Sequence, residues 1–212
     1  MPIGSASANG GTIELRSGAD FTTGLVSTTG PLNLISAAGA VTIGQGIDAS
    51  VGAVTISAAT DANLDTDIVN LRSGSPLTVA AGRDIRVAAQ IDGRNGTAQG
   101  GTATLVAGRN VALADPITTN EGAIAVPATA GTVTQAPGVQ LRTGAAPIAV
   151  NAGADFTTAS YVTTGALSLA STNGTLTVAQ PIYDSTGTTA LTAGTDILVQ
   201  ALVENIRTGA PL

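Results

Sequence analysis

A short cadence, small–Gly–x–Asp/Asn followed by alternating apolar residues, returns along the chain and constrains its fold more than any other feature. It reads AAGRDIRVAAQI at Ala80–Ile91, VAGRNVALADPI at Val106–Ile117, NAGADFTTASYV at Asn151–Val162 and TAGTDILVQALV at Thr192–Val203. Aligning these phrases with the turns before them places unit starts near Gly30, Gly52, Gly74, Gly101, Gly122, Gly144, Gly165, Gly187 and Gly209. The spacing is about 22 residues, and the unit at Gly74 is about five residues longer.

Each unit opens on a turn that often holds proline (Pro31, Pro76, Pro147, Pro211), where a missing N–H costs least. A first alternating pair follows, such as Leu32/Leu34 or Val54/Ile56. The cadence then turns the chain into a second pair, such as Ile85/Val87 or Val111/Leu113, and Ile47, Ile91, Ile117 or Ile182 marks a third short strand. Period-2 alternation in runs this short reads as strand, and no stretch sustains a 3.6-residue apolar period. Three strands per unit predict an all-β chain, a right-handed parallel β-helix (solenoid) of about nine coils and near 45 Å long at strand spacing. Residues 1–212 form one repeat domain on this reading. A shift of 135 residues, six units, superposes 18–77 on 153–212 without a gap, which implies duplication of a multi-coil block.

The cadence itself is then a corner. Gly and Asp/Asn supply the left-handed or turn conformations that β-branched residues resist, and Asp20, Asp84, Asn110, Asp155 and Asp196 are structural corners whose side chains bond nearby amides. Phe21 and Phe156, equivalent in the two blocks, fill a wider layer of the core.

Composition excludes whole classes of chemistry. The chain has no Cys and no His, and all eight basic residues are Arg, so disulfides, Cys/His zinc sites, thiol, Schiff-base lysine and histidine catalysis are ruled out. A net charge of -6 disfavours nucleic acid and anionic membrane surfaces. The uncharged run Phe156–Tyr183 is broken by Thr, Ser, Gly, Asn and Pro181, so membrane insertion is not expected. MPIGSASANGG lacks the layout of a signal peptide, and IRTGAPL stops in mid-phrase. An export signal outside this chain, and a fragment of a longer shaft, are the expectations.

LTVAAGRDIRVAAQI, ATLVAGRNVALADPI and TALTAGTDILVQA resemble the shaft repeats of filamentous haemagglutinin-type exoproteins. The resemblance covers nearly the whole chain. It implies a right-handed parallel β-helix, export through a dedicated outer-membrane transporter, location outside the cell or on a bacterial surface, and a rod-like adhesive or structural role. The family's secretion domain carries Asn-Pro-Asn motifs, which this sequence lacks.

Several groups of residues compete for a more specific role. Asp61, Asp65 and Asp67 are dense enough to hold Ca²⁺, yet the nonapeptide calcium-roll pattern is missing, and a solvated face is the expectation. Arg83, Asp84, Arg86 and Asp92 are the set that a polysaccharide-acting β-helical enzyme would use, but corner and surface pairs account for so few charges; no catalytic, metal or cofactor site is assigned. Thr doublets at 22–23, 28–29, 118–119, 157–158, 163–164 and 188–189 suggest an ice-binding face as the alternative function. Asn95-Gly96-Thr97 and Asn173-Gly174-Thr175 fit the glycosylation sequon but read as turns. The excess residues of the long unit fall in IDGRNGTAQGG, Ile91–Gly101, and must leave the narrow core as a surface loop. Asp92, Arg94, Asn95 and Gln99 are therefore the candidate partner-binding residues, toward a cell-surface or glycan target. Open coil edges are expected to promote end-to-end self-association.

Overall fold

Alternating apolar residues become three stacked parallel ladders in the computed structural model, which describes residues 2–3, 6–49, 52–69, 71, 74–94, 100–184 and 187–204. The long ladder holds nine five-residue strands, from Ile13–Ser17, Leu32–Ser36 and Val54–Ala58 through to Leu167–Ser171 and Thr189–Ala193. Its nine strand starts, Ile13 to Thr189, bound eight turns at a mean of about 22 residues. The second ladder runs through seven strands, from Pro2–Ile3 to Val133–Gln135, and three more, Phe156–Thr157, Leu176–Val178 and Ile197–Val199, continue the same position in later coils. The third begins at Ala6–Ala8, Val26–Thr28 and Ile47–Ala49. Ile68 bridges Ile47 to Ile91, and six strands follow from Ile91–Asp92 to Val203–Glu204. Every pairing is parallel, and the described residues contain no α-helix.

One apolar rank stands above the next inside the coil. Leu34, Ile56, Val79, Leu105, Val126, Val150 and Leu169 form such a column on the long ladder, each at 1% exposure or less. Phe21 and Phe156 are both buried as first residues of second-ladder strands, the equivalence expected from the duplication. The two blocks repeat their bonds as well. Ser36 and Ser171 hydroxyls donate to the Ala19 and Ala154 carbonyls at 2.9 and 2.7 Å. The amides of Gly30 and Gly165 donate to Thr28 and Thr163 Oγ1 at 3.0 and 2.9 Å.

The corner glycines are there for a different reason from the one expected. Among the described residues only Gly10, Gly74 and Gly138 have positive φ, and none belongs to the cadence. Stacking explains the corner instead. A Cβ added at Gly82, Gly108, Gly153 or Gly194 would run into the carbonyl oxygen of the coil before it, and a second column at Gly30, Gly52, Gly101, Gly122, Gly144, Gly165 and Gly187 has the same close approach. Backbones meeting at strand spacing with no side chain between them require glycine on steric grounds alone.

Two local departures interrupt the ladders. Pro127 lies inside the strand Ile124–Ala128, and the register with Ala103–Ala107 skips its own pair with Val106 and the one before it, consistent with a missing ladder donor. Between Val133–Gln135 and Phe156–Thr157 the second ladder breaks, and a side chain takes over: Gln135 Oε1 accepts the Ala159 amide at 3.2 Å and the buried Tyr161 hydroxyl. Burial raises the Tyr161 pKa, so the phenol stays a donor. Gln135→Leu should cost about 1–3 kcal/mol, because two buried donors lose their acceptor, and Tyr161→Phe about 1 kcal/mol. The double variant should be less destabilised than the two added, since the orphaned phenol is gone. Denaturant melts of the four proteins measure this, and strictly additive costs would contradict the coupling.

Candidate functional site

The corner acids act between coils. Asp20 Oδ1 accepts the Ala40 amide at 2.7 Å, Asp61 Oδ1 that of Asp84 at 3.3 Å, Asp84 Oδ1 that of Asn110 at 3.1 Å, Asn110 Oδ1 that of Thr132 at 3.0 Å and Asp155 Oδ1 that of Thr175 at 2.9 Å. Each is thus a staple to the same corner one coil on, where the sequence suggested a bond within its own turn. Asp196 holds the equivalent place in the last described coil, and its carbonyl accepts the Leu176 amide at 2.9 Å. Above Asp20, Asn110 and Asp155 the next coil carries Gly39, Gly131 and Gly174, where a Cβ would strike the side-chain oxygen. Above Asp61 and Asp84 it carries Arg83 and Arg109, each of which grips the carboxylate below through Nε and Nη2.

Those grips set the electrostatics. Arg109 holds the Asp84 carboxyl down to about 2 against the opposing effect of burial, aided by the Asn110 amide. Arg83 lowers Asp61 in the same way. Both folded pKa values lie below the unfolded ones, so this stabilisation is complete above the ordinary carboxylate range and is lost as pH falls from about 4 toward 2. Asp84→Ala should cost about 1–2 kcal/mol at pH 7. Asp84→Asn should cost less, because an amide oxygen can still serve the Asn110 N–H, as Asn110 itself does for Thr132. Urea midpoints at pH 7 and pH 2.5 check both, and a wild-type advantage over Asp84→Ala that is unchanged at pH 2.5 would contradict the ionic part.

The two acidic groupings singled out in the sequence come apart in space. Asp61 pairs with Arg83, Asp65 pairs with Arg86, and Asp67 Oδ1 accepts the Gln90 amide at 3.2 Å. Among the described residues no three acidic side chains converge. Asp84 sits at the first corner while Asp92 is on the third ladder, so Arg83, Asp84, Arg86 and Asp92 do not share one groove. The Thr doublets divide between inside and outside. Thr23, Thr28, Thr158, Thr163 and Thr189 are buried while Thr22, Thr29, Thr157, Thr164 and Thr188 point outward, and Thr118 and Thr119 are both buried. The outward column of the second ladder runs Thr42, Asn63, Arg86, Ala112, Thr134, which is not a continuous threonine rank.

A polar cleft lies where the long unit meets its neighbours. Asp92 is a ladder residue rather than a loop residue: it pairs with Thr118 and is 6% exposed. The Arg94 amide and Nε both donate to Asp92 Oδ1, at 3.0 and 2.8 Å, turning the chain out of the ladder. Asn95 and Gln99 lie outside the described residues. Arg94, Thr118, Asn120, Arg142, Thr143 and Gly144 line a cleft of about 200 Å³. Asp92, Thr118 and Arg142 share one column of the third ladder. Arg142 escaped the sequence reading because 50 residues separate it from Asp92. Registering the units on Ile91, Ile117 and Leu141 would have placed it there. Of the six described arginines, Arg16, Arg83, Arg86, Arg94 and Arg109 are in ion pairs, and Arg142 alone has no carboxylate within reach among the described residues.

Comparison with family models, curated proteins and solved structures finds no match to this chain. The functional reading therefore rests on the fold and on this cleft.

Proposed function

We propose that the chain is a non-catalytic shaft segment of a large secreted bacterial surface protein, of the filamentous haemagglutinin-like kind that its repeats resemble. The observation that carries this is the uniformity of the solenoid. Nine long-ladder strands stack in one register, and the corner residues Asp20, Asp61, Asp84, Asn110 and Asp155 are each tied to the coil that follows. Such a fold supplies length and stiffness, with each coil contacting only its neighbours. Adhesion then comes from what the rod displays toward a cell surface or glycan, and its export calls for an outer-membrane transporter. Coil ends stacking on one another would lengthen the rod by self-association.

Immunogold labelling of intact source cells with antibody to the purified chain tests the role. Label at the cell surface is expected. Label confined to the cytoplasm would overturn the reading, as would turnover of a polysaccharide that is lost on substituting Asp84 or Asp92. Thermal hysteresis of the purified chain would move the reading to ice binding.

A further inference from the structure

We propose that the cleft between Arg94 and Arg142 binds the carboxylate of an acidic sugar, a uronic-acid type of residue. Three features support this ligand. First, Arg142 is exposed and has no carboxylate partner among the described residues, unlike the five other described arginines. A guanidinium fork fits the two coplanar oxygens of a carboxylate. Second, the local charge matches one such group. Arg94 is offset by Asp92, whose Oδ1 accepts both its amide and its Nε, so Arg142 is the guanidinium left for an incoming anion. That complements a single carboxylate better than a phosphate dianion or a polyanion, which the net charge of -6 repels. Glu121, whose Oε2 accepts the Ala145 amide at 3.2 Å, adds a negative charge beside Gly144, so the cleft favours a monoanion over a dianion.

Third, the remaining walls are hydroxyl, amide and backbone. The lining contains no aromatic or aliphatic anchor of the kind a peptide would need. Thr119 and Thr143 hydroxyls donate to the Gly122 and Ala146 carbonyls, which fixes these two walls of the cleft. At about 200 Å³ the cleft is smaller than a drug-sized pocket and takes one small polar residue. The identification as a sugar rests on the surface-shaft reading. The carboxylate site itself does not.

The test uses the whole chain, ¹⁵N-labelled, with arginine Nε–Hε resonances followed by NMR during titration with glucuronate, glucose and inorganic sulfate. Glucuronate should shift the Arg142 and Arg94 signals saturably with a dissociation constant on the order of millimolar, while glucose leaves them in place. Arg142→Gln should weaken the binding about tenfold and leave the melting temperature unchanged, since Arg142 is exposed. Arg142→Lys should recover only part of it, because a point charge lacks the fork. Absence of a saturable shift with glucuronate, an equal shift with glucose, or binding of sulfate alone would overturn the proposal. Failure of surface labelling with glucuronate binding intact would remove the shaft reading and keep the carboxylate site.

Discussion

Gly122→Val is expected to be among the most damaging single changes in the chain, costing about 3 kcal/mol or more. A Cβ at Gly122 would sit on the carbonyl of Gly101, with the Gly100 carbonyl beside it, and valine adds two methyl groups there. Relief requires separating two coils, which breaks ladder bonds in the long and third ladders together. Because coils touch only their neighbours, the damage should split the melt into two phases, one for each side of the lesion. Gly46→Ala is the control. Nothing lies within 4 Å of its Cβ and its φ is not positive, so it should be neutral or stabilising by up to about 1 kcal/mol. Equal melts for Gly122→Val and Gly46→Ala would contradict the stacking account.

Leu105→Ala should cost about 2–5 kcal/mol. Its side chain is fully buried between Val79 and Val126 in the central column of the long ladder. Strand spacing fixes the distance between coils, so those neighbours cannot close over the void. Val106→Ala, the next residue but 37% exposed on the outer face, should change stability by less than about 1 kcal/mol. Denaturant midpoints for the two variants check the inward–outward assignment, and a larger loss for Val106→Ala would reverse it.

The ladders were legible because a period of 2 within strands and a repeat of about 22 residues between them are both written in apolar residues. The equivalence of Phe21 with Phe156 followed from the same register. The corner was half legible: Asp20, Asp84, Asn110 and Asp155 were recognised as corner residues, but their partners lie 20 to 26 residues away on the next coil, at Ala40, Asn110, Thr132 and Thr175. Local turn chemistry points to the same residue types, so sequence spacing alone could not separate the two explanations. The glycines show the same ambiguity, since close approach and positive φ both demand glycine. Asp92 and Arg94 were found through the long unit, yet Arg142 and Thr118 joined them only by stacking. The ladder break at Gln135 left no apolar signature, because a glutamine side chain there replaces a backbone acceptor.

If the chain is a stack of interchangeable coils, removal of residues 122–164 leaves a shorter folded stack. This deletion takes out two whole coils, joins Glu121 to the unit start at Gly165 and removes Gln135 and Tyr161 together. Small-angle scattering should show the longest dimension reduced by two strand spacings, about 10 Å, with a strand-type circular dichroism spectrum and a cooperative melt retained. Loss of the folded state on this deletion, or an equally well folded product when 122–153 are removed and the register is broken by half a coil, would contradict it.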